Sequence, residues 1–142
     1  MIVNCLHNKP GDLPQNYLDP LTRFSKQDKF PLTIGKQYVV YGIVSRLDQI
    51  HYVICDDDYE ILLGKYYPRF WPAPLFNIIN NNISAHWRVG HNSTHKDYTL
   101  IVSYQEWVED FYYFDRLTDL NNEATEIFRR YKQLMDKEAK IV

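Results

Sequence analysis

The chain has 142 residues, of which 45% are hydrophobic and 24% are charged, and it carries two cysteines, Cys5 and Cys55. This is the composition of an ordinary globular domain, and a chain of this length can bury a core without disulfide or metal staples. It contains no apolar run of the roughly 18 residues needed to span a bilayer, and residues 1–9 lack the basic start and apolar stretch of a secretory signal. We therefore expect one cytoplasmic domain that does not associate with membranes.

Aromatic residues are more frequent than a core of this size requires. The chain holds 12 Tyr, 7 Phe and 3 Trp. Tyrosine combines a flat apolar ring with a polar tip, so it serves at protein interfaces as well as in cores. A share of the tyrosines is therefore expected at the surface.

The chain divides by composition near residue 31. Residues 1–31 contain five helix- and strand-breaking Pro and Gly residues and show no sustained periodicity, which predicts a loop-rich N-terminal arm. One helical turn is expected after Asp19 and Pro20. The apolar side chains that would dock this arm are Leu13, Tyr17, Leu18, Leu21 and Phe24. Residues 32–142 are expected to form the single α+β domain.

Short strands dominate the middle of the chain. β-branched and aromatic residues predict a long first strand at 32–44, and the run 46–49 predicts a hairpin connection to the next strand. Three consecutive acids at 56–58 predict a turn. The remaining strands are expected at 51–55, 60–64, 75–79, 85–89 and 98–102, with a polar tip at 90–96. Three prolines in residues 67–74 predict an extended crossing loop there.

The last third of the chain is predicted to be helical. Ser103 and Glu106 have the spacing of a capping box, and aromatic residues follow at helical spacing. Residues 117–122 interrupt this helix, and a second helix is expected from Asn122. Its apolar stripe consists of Ile127, Phe128, Tyr131, Leu134 and Met135. The pattern indicates a small curved antiparallel sheet followed by two C-terminal helices packed on it, and it is compatible with an SH3-like partial barrel.

The net charge of −2 hides two acidic segments. Residues 48–60 and 104–119 each contain five acids, and the only Lys or Arg in either is Arg116. Tyrosines lie beside these acids, a pairing that suits a surface for a basic partner. The candidate partner-binding residues are Asp56, Asp57, Asp58, Tyr59, Glu60, Glu106, Glu109, Asp110, Tyr112 and Tyr113. The alternative is that both segments are solvated faces. A nucleic-acid partner is disfavoured because no long basic stripe is present.

Catalytic and metal-binding patterns are weak. His86, His91 and His95 with Asp97 contain suitable zinc ligands, but their spacing is that of a solvated loop, so no metal site is predicted. The same histidines could serve acid–base chemistry, which leaves a small ribonuclease or hydrolase as an alternative function. No phosphate-binding glycine loop or nucleophile elbow is present. No cofactor is expected.

Hydrophobic and tryptophan landmarks follow one another over roughly residues 32–138. They are the segments 32–43, 52–57, 67–68, 72–76, 86–87, 106–107, 111–112 and 127–132. Their order resembles that of small bacterial immunity proteins, which accompany polymorphic toxins and contact-dependent growth inhibition systems, and it leaves the N-terminal arm unmatched. The resemblance implies a stoichiometric inhibitor that binds a toxin domain in the cytosol, and it assigns no catalytic residue.

The residues and the resemblance together predict one mechanism. Many such toxins are nucleases with basic clefts, and an acidic, tyrosine-rich surface can mimic the phosphates that those clefts bind. The acids would speed association, and the tyrosines would act as desolvated anchors. A third hypothesis is an adaptor whose Trp71 and Pro72 line a peptide-binding cleft. The oligomeric state is not predicted.

Overall fold

Two antiparallel sheets and four α-helices make up the computed structural model, which describes residues 1–17, 29–63 and 65–140. The strands are β1 (Ile2–Cys5), β2 (Gln37–Val39), β3 (Gly42–Arg46), β4 (Gln49–Ile54), β5 (Arg69–Pro72), β6 (Phe76–Asn80), β7 (Arg88–His91) and β8 (Leu100–Ser103). The helices are α1 (Asp57–Ile61), α2 (Gln105–Val108), α3 (Tyr113–Thr118) and α4 (Asn122–Ala139). The predicted α+β class is confirmed. No helix of the described ranges is long and apolar enough to cross a bilayer.

The smaller sheet has the strand order β2-β1-β6, and the larger has the order β5-β4-β3-β8-β7. The chain passes from one sheet to the other between two adjacent residues. The N–H of Val40 donates to Met1 beside β1, whereas the N–H of Tyr41 donates to Val53 of β4. The long first strand predicted at 32–44 is therefore wrong, because it is divided between two sheets that do not close into a barrel.

The hairpin predicted at 46–49 is confirmed. β3 and β4 are joined by Leu47 and Asp48, whose φ angles of 52° and 59° are both positive. A two-residue loop with this geometry matches the right-handed twist of the strands it joins. The strands predicted at 51–55, 75–79, 85–89 and 98–102 are present as β4, β6, β7 and β8, with boundaries shifted by up to three residues.

The first residues of the chain are not a loop. β1 is the central strand of the smaller sheet and pairs with both β2 and β6. Only four residues long, β1 carries no clear alternation that sequence analysis could detect. In the rest of the arm Leu13 is buried, as expected of a docked segment. The helical turn expected after Asp19, and the contacts expected of Leu18, Leu21 and Phe24, lie outside the described residues.

Two further predictions in the middle of the chain are wrong. The strand predicted at 60–64 is replaced by α1, because a carboxylate side chain caps this helix from the preceding residue. The loop predicted at 67–74 contains β5, an edge strand of the larger sheet. Proline is tolerated at an edge because its missing N–H faces away from the neighbouring strand.

The helix predicted after residue 103 is present as two short helices, α2 and α3. The capping box is wrong, since the hydroxyl of Ser103 donates to the carbonyl oxygen of Tyr41 at 2.8 Å instead of capping α2. The helix predicted from Asn122 is confirmed as α4, which begins with an Asn121 cap. Phe128 and Met135 of its predicted stripe are buried, whereas Leu134 is 38% exposed.

Helix α2 packs closely on β7 at Gly90. A Cβ atom at this position would lie 2.5 Å from the carbonyl oxygen of Val108 and 3.0 Å from its Cα. Backbone atoms cannot move aside as the tip of a flexible side chain can. Glycine is therefore required for this contact between helix and sheet.

Gly90→Ala should lower the free energy of unfolding by about 1–3 kcal/mol, because the added methyl group overpacks this contact. The control is Gly35→Ala, where a Cβ would meet no atom and only the positive φ of 84° opposes the change. Urea denaturation measures both. A Gly90→Ala variant as stable as the wild type would contradict the close packing of α2.

Candidate binding surface

Asp56 lies two residues beyond the end of β4 and is only 1% exposed. Its Oδ1 accepts hydrogen bonds from the backbone N–H groups of Asp58 and Tyr59, at 3.1 and 3.3 Å, and so caps α1. Its Oδ2 accepts from Arg69 Nε at 2.7 Å and from Trp71 Nε1 at 3.0 Å. The carboxylate therefore joins β4, α1 and β5, and it is enclosed by the fold.

The other three acids predicted in this segment pair with nearby cations. Asp57 and Glu60 both accept from Lys36 Nζ, at 3.0 and 2.8 Å. Asp58 accepts from Arg69 at 2.7 Å. Four of the five acids of the first segment thus have an ion-pair partner within the protein, and Lys36 and Arg69 are shared among them.

Tyr59, the tyrosine predicted in the first segment, is only 8% exposed, and its ring lies 6.2 Å from that of Phe128 on α4. The exposed side chains at the end of α1 are Ile61, Leu62 and Leu63. The first acidic segment therefore forms part of the edge of the hydrophobic core and positions α1. Its tyrosine does not face solvent.

The second acidic segment begins with a structural contact. Glu106 of α2 accepts hydrogen bonds from Arg130 at 2.6 Å and from the hydroxyl of Tyr131 at 2.7 Å, both on α4. Glu109 is exposed and accepts a hydrogen bond from the amide of Gln105. Of these two predicted residues, only Glu109 is directed to solvent.

Tyr112 is the most exposed tyrosine of the second segment, with 62% of its surface accessible. Its ring lies 5.2 Å from that of His95, which in turn lies 4.7 Å from Tyr98. Asp110 accepts a hydrogen bond from the Tyr112 N–H at 3.0 Å and pairs with Arg116 at 2.9 Å. The tip of the 90–96 loop and the turn between α2 and α3 thus form one surface.

The buried Tyr98 ring, which packs against His95, lies close enough to three carboxylates for their charges to act on it. Burial raises the pKa of Tyr98, and the charges of Asp115, Asp97 and Asp110 raise it further. Asp97 and Asp115 are exposed, and no cation of the described ranges lies within ion-pair distance of either. We call His95, Asp97, Glu109, Asp110, Tyr112 and Asp115 together the acidic–aromatic surface.

Tyr113 is directed to the interior, opposite its neighbour Tyr112. It is 1% exposed, accepts a hydrogen bond from Tyr104 at 2.8 Å and donates one to the carbonyl oxygen of Ala124 at 2.7 Å. Of the ten residues predicted for the partner surface, Asp56, Tyr59 and Tyr113 are buried inside the fold. Glu109, Asp110 and Tyr112 are brought together on one surface.

The histidines proposed for an enzyme occupy different environments. His86 packs against Tyr131 at 5.9 Å, His91 lies on β7, and His95 belongs to the acidic–aromatic surface. Within the described ranges, no group of three or more His, Cys, Asp or Glu residues is placed to hold a metal ion.

His51 was missed by sequence analysis because a histidine in a strand carries no distinguishing pattern. It lines a cavity of about 490 Å³ together with Trp71 and Pro72, the two residues of the adaptor hypothesis. Burial lowers the pKa of His51 below its ordinary 6.5, so its ring is neutral at pH 7. Its Nδ1 lies 3.2 Å from the carbonyl oxygen of Gln49, which favours a proton on that nitrogen.

Comparisons with known proteins assign no family or function to this chain. A scan against protein-family models, a search of curated proteins and a search of solved structures found no match to this chain.

Asp56→Ala should lower the free energy of unfolding by about 3–5 kcal/mol, because it removes a helix cap and leaves the Arg69 charge without its buried partner. Asp115→Ala, which removes an exposed carboxylate, should change it by less than about 0.5 kcal/mol. Urea denaturation compares the two variants. Equal effects would contradict the structural role of Asp56.

Asp57 makes stability depend on pH. Burial alone would raise its pKa, but hydrogen bonds from Thr33, Lys36 and Tyr38 outweigh burial and hold the pKa below the ordinary 3.8. The ionised form therefore stabilises the fold at pH values above 3.8, and this contribution disappears as the pH falls through the lowered folded-state value.

The stability difference between the wild type and Asp57→Asn should accordingly be constant above about pH 5 and shrink in more acidic solution. Urea denaturation between pH 7 and the acid limit of reversible folding measures this difference. A difference that does not change with pH would contradict the pairing of Asp57 with Lys36.

Proposed function

We propose that the protein is an immunity protein that neutralises a toxin domain by stoichiometric binding, and that it binds a basic face of that domain through the acidic–aromatic surface. The toxin activity that fits best is that of a nuclease, because a cleft that binds phosphates is basic. The producing cell's cytosol is the proposed place of action.

The exposed Tyr112 ring among carboxylates is the observation that carries this proposal. Its contact with His95 restricts the ring, so little side-chain entropy is lost on binding. The exposed Asp97 and Asp115 lack an ion-pair partner within the described ranges and are available to a cation. An aromatic anchor near unpaired carboxylates combines a desolvated contact with electrostatic steering.

The first acidic segment contributes less to the proposed binding of a partner than its composition suggests. Its acids Asp57, Asp58 and Glu60 are already paired with Lys36 or Arg69, so a partner would have to break those pairs before using them. Breaking an existing ion pair on binding costs free energy, and an unpaired surface carboxylate does not have this cost. The second segment is therefore the proposed contact region.

The proposal expects the gene to lie directly downstream of one that encodes a large secreted protein with a variable C-terminal domain, and the direct test is copurification of the tagged protein with that domain. We expect a one-to-one complex and relief of the growth arrest that the domain causes. An upstream domain that is toxic but neither binds this protein nor is neutralised by it would overturn the proposal.

Within that complex, Tyr112→Ala should raise the dissociation rate by about 10- to 100-fold, as expected for loss of an aromatic anchor. Asp115→Lys should instead slow association by about tenfold at low ionic strength, with the difference shrinking as salt is added. Surface plasmon resonance at two salt concentrations separates the two effects.

Glu123→Lys is the matched control, since it reverses an exposed acid on α4 outside the acidic–aromatic surface. It should bind with nearly wild-type kinetics. If Glu123→Lys and Asp115→Lys slow association equally, the binding depends on total charge and not on this surface.

A further inference from the structure

β6 is an outer strand of the smaller sheet, and its residues Asn77, Ile78 and Ile79 are exposed. The other sheet edges are protected. β2 contacts α4, β7 packs against α2, and β5 carries a proline and the paired side chain of Arg69. Natural proteins protect edges in these ways because an open row of N–H and C=O groups pairs readily with another strand.

Ile78 of β6 is more exposed than the residue it pairs with in β1. Ile78 is paired with Val3 of β1, so their side chains lie on the same face of the sheet. Val3 has neighbours on both sides and is fully buried, whereas Ile78 is 47% exposed. One more strand along β6 would cover the exposed flank of Ile78.

The segment around β6 also carries no charge. Residues 70–85 include no Asp, Glu, Lys or Arg, although 24% of the chain is charged. Ile79 and Ile83, which follow Ile78, are 44% and 72% exposed. Charged residues, which normally discourage pairing at an edge, are absent from this one.

We propose that β6 pairs antiparallel with β6 of a second copy of this chain about a twofold axis, which joins the two smaller sheets into one six-stranded sheet. The ladder between β1 and β6 shifts register next to Val3 and leaves Ile79 without a partner, so the regular part of the shared edge is centred on Ile78. The axis then brings the two Ile78 side chains together, each covering the other.

The absence of charge favours a second copy over the basic partner of the acidic–aromatic surface. A basic partner would find no carboxylate along residues 70–85 to pair with. Two identical uncharged edges meet without repulsion in any register, and a twofold contact uses the same patch on both copies. This dimer and the proposed toxin contact involve different residues, so either can fail while the other holds.

The test is sedimentation equilibrium of the full chain alone up to about 100 µM, a range that detects dimers with micromolar Kd. The wild type should reach twice the monomer mass of 17.0 kDa. Ile78→Lys should remain monomeric over the same range, because two lysines would meet at the axis. Val89→Lys, on the β7 edge and 69% exposed in the wild type, should dimerise as the wild type does.

Ile79→Lys provides a second disruption at a residue that makes no pair with β1, so it tests the edge without disturbing the sheet within one copy. Circular dichroism confirms that each variant is folded. A wild-type chain that stays monomeric at about 100 µM overturns the proposal. So does a dimer that survives both Ile78→Lys and Ile79→Lys, or one that Val89→Lys disrupts equally.

Discussion

The buried carboxylate of Asp56 is the contact on which the central part of the fold depends. It lies just beyond β4, caps α1 and accepts hydrogen bonds from Arg69 and Trp71 of β5. A buried carboxylate without such partners would be strongly unfavourable, so these elements are fixed relative to one another as a set. The same contact holds Arg69 in place to pair with Asp58, and it turns an acidic segment that looks like a binding surface into part of the framework.

The aromatic excess is used mainly inside the protein. Trp107 donates to the hydroxyl of Tyr98, which itself donates to the carbonyl oxygen of Phe111 at 2.7 Å. Tyr104 donates to Tyr113 in a second buried chain of the same kind. Each buried hydroxyl thereby gains the partner that burial requires, and the rings fill the space between the sheet and the C-terminal helices. This frame holds the exposed Tyr112 at the surface.

Features set by neighbouring residues were predictable from sequence, and those set by distant residues were not. The stripe of α4 and the 46–49 hairpin are encoded locally, in periodicity and in turn geometry. β1 was missed because its partners lie at 37–39 and 76–80, and four residues carry too little pattern. The candidate site was predicted in part: charge and tyrosine content marked the region around Tyr112, but no sequence signal shows that Arg69 comes to rest beside Asp56. The helical turn after Asp19 falls outside the described residues and remains a prediction.

The two acidic segments are similar in composition, but we propose that one is structural and the other serves recognition. Hydrogen–deuterium exchange of the free protein and of its complex with the proposed toxin partner compares the two segments. New protection in the complex is expected at residues 95–97 and 109–115, with little change in α1. New protection confined to α1, or none in either segment, would contradict the proposal.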